Sequence, residues 1–412
     1  MIFIALITLS VASLQCATKD IIALNRAPDL RPLKRALGYI EDTYLNFTEL
    51  TKKYGFPSEE HAVTTEDGYI LTVYRIPSKC SGSKRYPVIL MHGIIDSSDA
   101  WIITKPKKAL GYILASDCYD VWAGNGRGNV YSRRHTRLDP DRDPKFWDFT
   151  FEESGVYDVS RIIDYVLKVT GKEKVLYVGH SQGTTIFFTL TSLRPEYNDK
   201  VQLSIHLAPV AWMSNIRSPL ALALSKFTDE IAGIARKIGL LEIGGKNQYI
   251  PHEVLEFLCQ AIPLEVCAGS LYLLAGSRAG IIKPKILSVA FGHIPVGTSL
   301  KTLEHFAQLI TSKRFQRYDL GKEGNLKIYG SSKPSVYDVK KITTPTVLIG
   351  AENDWISDLR DVKNLGSKLT NLIEMYVVPN PFWSHNDHLW GTNVTDYEYF
   401  KILQYFNEFS NR

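Results

Sequence analysis

Beyond its first seventeen residues the chain has no run approaching eighteen apolar residues, so nothing after that point reads as a membrane-spanning helix and the mature protein is expected to be soluble. No His/Cys spacing suggests a metal site, and no G-x-G-x-x-G follows a strand, so neither a metal nor a dinucleotide cofactor is expected. Gly124-Asn125-Gly126-Arg127-Gly128 imitates a phosphate loop but has the wrong spacing and context. Charge of one sign is lacking too: 48 Lys and Arg face 43 Asp and Glu, a net +5 that is too mild for a nucleic-acid partner. Arg127, Arg133, Arg134 and Arg137 are followed at once by Asp139, Asp141 and Asp143, which suggests a solvated, internally paired surface. Internal repeats and low-complexity linkers are also absent.

Residues 1–17 hold an apolar core, Ile2-Phe3-Ile4-Ala5-Leu6-Ile7-Thr8-Leu9, then small and polar residues, with no charged side chain. That stretch is too short to span a membrane and fits a secretory signal peptide. Sequons at Asn46-Phe47-Thr48 and Asn393-Val394-Thr395 make Asn46 and Asn393 candidate glycosylation sites, consistent with secretory passage. Cys16 should leave with the signal, while Cys80 and Cys118 could pair or stay free.

The strongest chemical signal is Gly179-His180-Ser181-Gln182-Gly183, directly after the apolar run Val175-Leu176-Tyr177-Val178 and before a helical stretch, 184–190. This is a G-x-S-x-G elbow, in which Gly179 and Gly183 leave room for a sharp turn that projects Ser181 above a sheet. A serine nucleophile needs a base, and the base needs an orienting carboxylate; in this fold both follow the serine in chain order. Thr344 to Gly350 reads as a buried strand with Asp354 in the loop beyond it, and Ile373 to Val378 as another, with His385 beyond it. Both loops fall at the carboxyl ends of strands, the edge where ligands gather in open α/β sheets. Glu352 and Asp358 rival Asp354, although Asp358 better suits the cap of the following helix. His388 rivals His385 and periodicity does not separate them; loop position favours His385. His206 reads as a satisfied core histidine within its strand, and His252, His293 and His305 fall in a helical insertion. Backbone N–H groups of Gln182 and of Ile94, in the loop His92-Gly93-Ile94 after the strand 86–91, are the candidate oxyanion donors.

These motifs, with the segment 119–132, Asn353-Asp354-Trp355, His385-Asn386-Asp387 and Leu389-Trp390-Gly391, stand in an order that resembles the acid lipase family of gastric and lysosomal type. The resemblance implies an α/β-hydrolase fold: a mostly parallel central sheet, helices on both faces and a helical cap with a lid. It implies Ser181 as nucleophile, Asp354 as orienting acid, His385 as base, and Ile94 and Gln182 as oxyanion donors. It also implies a Cys259–Cys267 disulfide, no cofactor, a secreted or lysosomal compartment, and a neutral lipid ester (triacylglycerol or sterol ester) met at an oil–water or lipid-droplet interface. Two positions depart from the family: His388, where an aromatic is common, and Cys118, where a small residue is usual. A second imidazole near the catalytic loop could alter pH behaviour.

The organisation expected is a signal peptide at 1–17, a core in two parts at 18–208 and 342–412, and a helical cap at 209–341. A hairpin across Asp67-Gly68 opens the core, with a two-residue turn. No strand pattern appears in the cap. Leu220, Leu224, Phe227, Ile231, Ala235 and Ile238 recur at helical spacing and are expected to be packed; Val254, Leu255, Leu258, Ala261 and Ile262 recur likewise and suit a lid. The other readings are a carboxylesterase or peptidase on the same core, and an inactive lipid-binding protein.

Overall fold

The computed structural model describes residues 31–80, 85–245, 264–276, 278 and 280–410. The signal peptide, Cys259 and the second apolar stripe lie outside the described residues, as does the side chain of Cys267. The chain divides into two compact units, 1–41 and 42–412; the described part of the first carries the helix Arg31–Ala36.

The second unit is built on strands β1 (Glu59–Thr64), β2 (Ile70–Ile76), β3 (Val88–Met91), β4 (Val121–Gly124), β5 (Val175–His180), β6 (Val201–Leu207), β9 (Thr346–Gly350) and β10 (Leu372–Val377). They form one sheet in the order β1-β2-β4-β3-β5-β6-β9-β10. The β1–β2 and β2–β4 pairs are antiparallel; every later pair is parallel. The inner strands β3, β4, β5 and β9 are buried at every position. The runs of Val, Leu and Ile in β3, β5 and β9 are what a parallel strand needs when both faces are covered. Helices Leu110–Ser116, Gln182–Leu193, Phe400–Ser410 and Leu359–Gly366 pack on β4, β5, β6 and β9.

The hairpin differs from the expected two-residue turn. Pairing continues past β1 and β2, with the Thr65 N–H donating to the Tyr69 carbonyl at 2.8 Å, which leaves a three-residue loop, Glu66-Asp67-Gly68. Gly68 closes it at φ 101°, the left-handed position that a three-residue hairpin requires.

Between β6 and β9 the described residues are mostly helical, but two short strands pair there, β7 (Glu242–Ile243) and β8 (Thr298–Ser299), against the expectation of none. The helical period of the first apolar stripe holds in the helices Pro219–Lys226 and Thr228–Lys237. Its packing does not: Leu220, Leu224, Phe227, Ile231 and Ile238 are 41–59% exposed. The second helix packs instead through small side chains, Ala232 and Ala235 against Leu300, which turns its large ones outward. Most of the arginine cluster keeps the solvated, internally paired surface expected, with Arg134 and Arg137 exposed and Arg133 paired with Asp141 at 2.5 Å, but Arg127 departs from it. Arg127 is buried, its guanidinium donating to Asp158 at 2.7 and 2.9 Å and to Asp67 at 2.5 and 3.0 Å. No described helix is long and apolar enough to cross a membrane.

Candidate active site

Strand β3 lies between β4 and β5, so the chain leaves it in one direction and returns on its other side. The loops at the carboxyl ends of β3 and β5 therefore flank a crevice at the switch point. At the end of β5 the chain turns through Ser181 at φ 52°, ψ −119° into the helix Gln182–Leu193. A non-glycine residue held there stores about 1–3 kcal/mol of strain. Val175, Leu176 and Val178 offset it, because all three are fully buried and each contributes about 1.5–3 kcal/mol. The elbow also needs its glycines: a Cβ on Gly179 would stand 2.6 Å from the Gly183 carbonyl, and one on Gly183 would overlap the Met91 carbonyl of β3. Gly183 thus lets the helix begin against the end of β3, where His92 and Gly93 follow.

Ser181 is 7% exposed and its Oγ lies 2.7 Å from His385 Nε2. On the other side of the ring, Nδ1 lies 2.8 Å from Asp354 Oδ2. The tautomer that satisfies both contacts carries its proton on Nδ1, leaving Nε2 to accept from the serine. Asp354 Oδ1 accepts the backbone N–H groups of Ile356 and Ser357, each at 2.8 Å. Burial pushes this carboxyl up, but the charge and hydrogen bond of His385 outweigh it and hold Asp354 below the usual carboxylate range. The rivals stand elsewhere. Glu352 is exposed, and Asp358 caps the helix Leu359–Gly366 by accepting the Arg360 N–H. His206 is in the core, packed on Phe188, yet neither of its ring nitrogens has a partner among the described residues, so it is not the satisfied histidine expected. Burial drives its pKa to about 3 and keeps it neutral.

Ile94 stands in the loop after β3 and Gln182 opens the helix after the serine, and neither backbone N–H donates to an acceptor among the described residues. Ser181, His385 and Ile94 line one cavity of about 330 Å³ whose other walls are mostly apolar, including Val210, Met213 and Ile310. Among the described residues no group of three or more His, Cys, Asp or Glu is placed to hold a metal.

Two family models match the chain: a partial α/β-hydrolase lipase region over residues 47–105 and the α/β-hydrolase fold over 86–238. Lipase 3 of Drosophila melanogaster is 38% identical over 355 residues, which cover 85% of this chain and 90% of that one. Lysosomal acid lipase/cholesteryl ester hydrolase of Homo sapiens is 35% identical over 373 residues, covering 88% and 90%. The chain belongs to the acid lipase family. An esterase from Exiguobacterium antarcticum has the same fold, with a TM-score of 0.50 at 13% identity, over 85% of this chain and all (100%) of that one.

Within this acid lipase the structure separates the two histidines that the sequence leaves close. His388 faces away from the serine: its Nδ1 lies 2.7 Å from Glu398 Oε2, and both side chains are fully buried. Glu398 also accepts the indole N–H of Trp383 at 2.6 Å. Sequence reasoning missed His180, whose Nε2 donates to the His385 carbonyl at 2.9 Å and so fixes the catalytic loop to the elbow. Burial, then the charge of His385, drives the His180 pKa well down, so it serves as a neutral tether. Its place as the variable residue of the elbow pattern carried no signal for this. Cys80 and Cys118, left open by the sequence, are joined in a disulfide that ties the segment after β2 to the residues before β4.

Burial lowers the His388 pKa, but the neighbouring Glu398 carboxylate outweighs it and raises the value above the ordinary 6.5. A histidine raised in the folded state contributes stability that is complete below its unfolded pKa and is lost as pH rises through the folded one. Glu398→Gln keeps an oxygen for Trp383 and removes the charge, which should cost about 1.5–3 kcal/mol at pH 6. Chemical denaturation of both proteins between pH 6 and pH 9 checks this: the gap should narrow as pH rises, and a pH-independent gap would rule out the charged pair.

Proposed function

We propose that this acid lipase hydrolyses carboxylic esters of neutral lipids, triacylglycerols or sterol esters, through an acyl-enzyme on Ser181. The observation that carries the reading is the unbroken contact chain from Asp354 through His385 to Ser181. Ser181 Oγ attacks the ester carbonyl as its proton passes to His385 Nε2. Asp354, kept ionised, holds the imidazole tautomer and stabilises the imidazolium that forms. The oxyanion of the tetrahedral intermediate takes hydrogen bonds from the Ile94 and Gln182 N–H groups, whose alignment needs no reorganisation as charge develops. His385 then returns the proton to the departing alcohol, and water activated by the same imidazole releases the fatty acid.

The apolar cavity suits an acyl chain, and the exposed Leu224, Phe227, Ile231 and Ile234 suit contact with an oil–water or droplet surface. In this reading residues 18–208 and 342–412 form the catalytic core and 209–341 the cap that meets lipid. The protein acts in a secreted or lysosomal setting. Of the two glycan acceptors, Asn393 is exposed, while Asn46 caps the helix Phe47–Lys53 through Oδ1, an atom that a glycan on its nitrogen leaves in place.

A fluorophosphonate ester tests the reading. Native protein should gain one phosphonyl group, on the peptide holding Ser181, and lose esterase activity in step with labelling; an unmodified Ser181 would sink the assignment. Turnover of a long-chain ester should rise sharply above its solubility limit, whereas a flat response would mark an esterase of soluble substrates.

A further inference from the structure

Beyond the catalytic groups, the cavity carries a carboxyl group that the reaction as described leaves without a task. Asp96 is 6% exposed and lines the same space as Ser181 and His385. It follows the proposed oxyanion donor Ile94 by two residues, which keeps its backbone within about 7 Å of Ile94, since an extended chain spans at most 3.3–3.6 Å per residue. Its Oδ1 accepts the Ser97 N–H at 2.7 Å. Oδ2 makes no hydrogen bond to any described residue and is not sealed off from the space around it. The remaining oxygen therefore opens on the cavity.

The other carboxyl and hydroxyl groups on the cavity wall are already occupied, whereas His180 Nδ1 and Trp390 Nε1 are buried with no partner among the described residues. Glu304 is paired with Arg236, Ser225 Oγ donates to the Leu222 carbonyl, and Thr228 Oγ1 donates to the Leu224 and Ser225 carbonyls. Asn386, half-buried, adds an amide rather than a carboxyl or hydroxyl to the wall. Asp96 alone of these carboxyl and hydroxyl groups offers a free hydrogen-bonding atom to whatever enters. Leaving such an atom idle in an apolar space is costly, and a ligand hydroxyl recovers that cost. Burial, opposed by the Ser97 N–H and reinforced by the neighbouring Asp99, pushes the Asp96 carboxyl up to about 7. His293, which is paired with Asp99, acts in the opposite direction. In acid the group is thus a neutral acid, able to donate as well as accept.

We propose that Asp96 is a specificity-determining residue that hydrogen-bonds a free hydroxyl on the alcohol portion of the ester, so that the enzyme favours partial acylglycerols over fully esterified glycerol. This rests on the acyl-enzyme reading, because the hydroxyl is placed relative to an ester held at Ser181 and Ile94. A 1-glycerol monoester carries its hydroxyls on the second and third carbons from the reacting ester oxygen, within reach of a group two residues from the oxyanion donor. A triacylglycerol and a methyl ester present none. A site built to bond a hydroxyl discriminates against the analogue lacking it more strongly than an apolar wall can.

The test uses the secreted full-length protein with 1-monooleoylglycerol, trioleoylglycerol and methyl oleate in identical mixed micelles at pH 5.5, a chosen assay value about 1.5 below the carboxyl's pKa. All three release the same acyl chain, so the ratio of kcat/KM values isolates the alcohol portion. In Asp96→Ala the monooleoylglycerol to methyl oleate ratio should fall about ten-fold, the loss of one such hydrogen bond. Asp96→Asn, which keeps an oxygen for Ser97 and a polar group for the substrate, should recover most of it. A ratio within two-fold of wild type in Asp96→Ala overturns the proposal, as does an equal fall on all substrates in both variants. Fluorophosphonate labelling of Ser181 is run in parallel. Labelling retained with an unchanged ratio overturns only the role of Asp96, whereas lost labelling in the wild type overturns the reading beneath it.

Discussion

Ser181→Ala is expected to lower kcat on a long-chain ester by about 10⁶-fold, the loss seen when a serine nucleophile is removed from a cooperating triad. The three groups act as one unit, so removing the hydroxyl disables the base and its orienter as well. Folding should barely register the change. Alanine keeps the Cβ, the strained φ of 52° is a property of the backbone, and the helix after the elbow is anchored by Thr184 Oγ1 donating to the Ser181 carbonyl at 2.7 Å. The one hydrogen bond lost, to His385 Nε2, is worth about 0.5–1.5 kcal/mol. Single-turnover assays beside denaturant melts separate the two readouts. A variant retaining even a thousandth of wild-type turnover while resisting fluorophosphonate at residue 181 would place the nucleophile elsewhere.

The elbow was legible because its cause is local. A buried strand, two glycines and a helix start within a dozen residues, and each constraint is written where it acts. The carboxylate and the imidazole were legible through a weaker cause, the habit of α/β sheets of collecting their loops at one edge. That rule places a loop, but it does not choose between His385 and His388, three residues apart. The choice is tertiary: Glu398, from a segment ten residues on, takes the second imidazole at 2.7 Å and turns it from the serine. His180 was illegible for the same reason, since the carbonyl it holds lies 205 positions away.

The cap shows a different limit. Spacing found the helices carrying Leu224 and Ile231, because period is a property of one segment. It did not find which side would be buried, because that depends on Leu300, distant in sequence, packing against Ala232 and Ala235. Arg127 fails in the reverse sense. Its charged neighbours in sequence suggested solvent, while its partners in space, Asp67 and Asp158, let a guanidinium be buried.

Asp354→Asn should lower kcat by about 10⁴-fold while leaving the site assembled. The amide oxygen can still accept the Ile356 and Ser357 N–H groups, now both at 2.8 Å, so the loop has no reason to move. The amide nitrogen then faces His385 Nδ1 and donates to it. That forces the imidazole proton onto Nε2, where it points at Ser181 Oγ and leaves the serine without a base. Stability supplies a second readout with a defined sign. The Asp354 carboxyl is held below its ordinary 3.8, so its contribution is present above that value and is lost as pH falls through the folded one. The variant should therefore be less stable than wild type at pH 7, and the two should converge in strong acid. Loss of activity with an unchanged stability gap at every pH would assign Asp354 an orienting role without the ionic one. A variant with near wild-type kcat would remove it from the mechanism altogether.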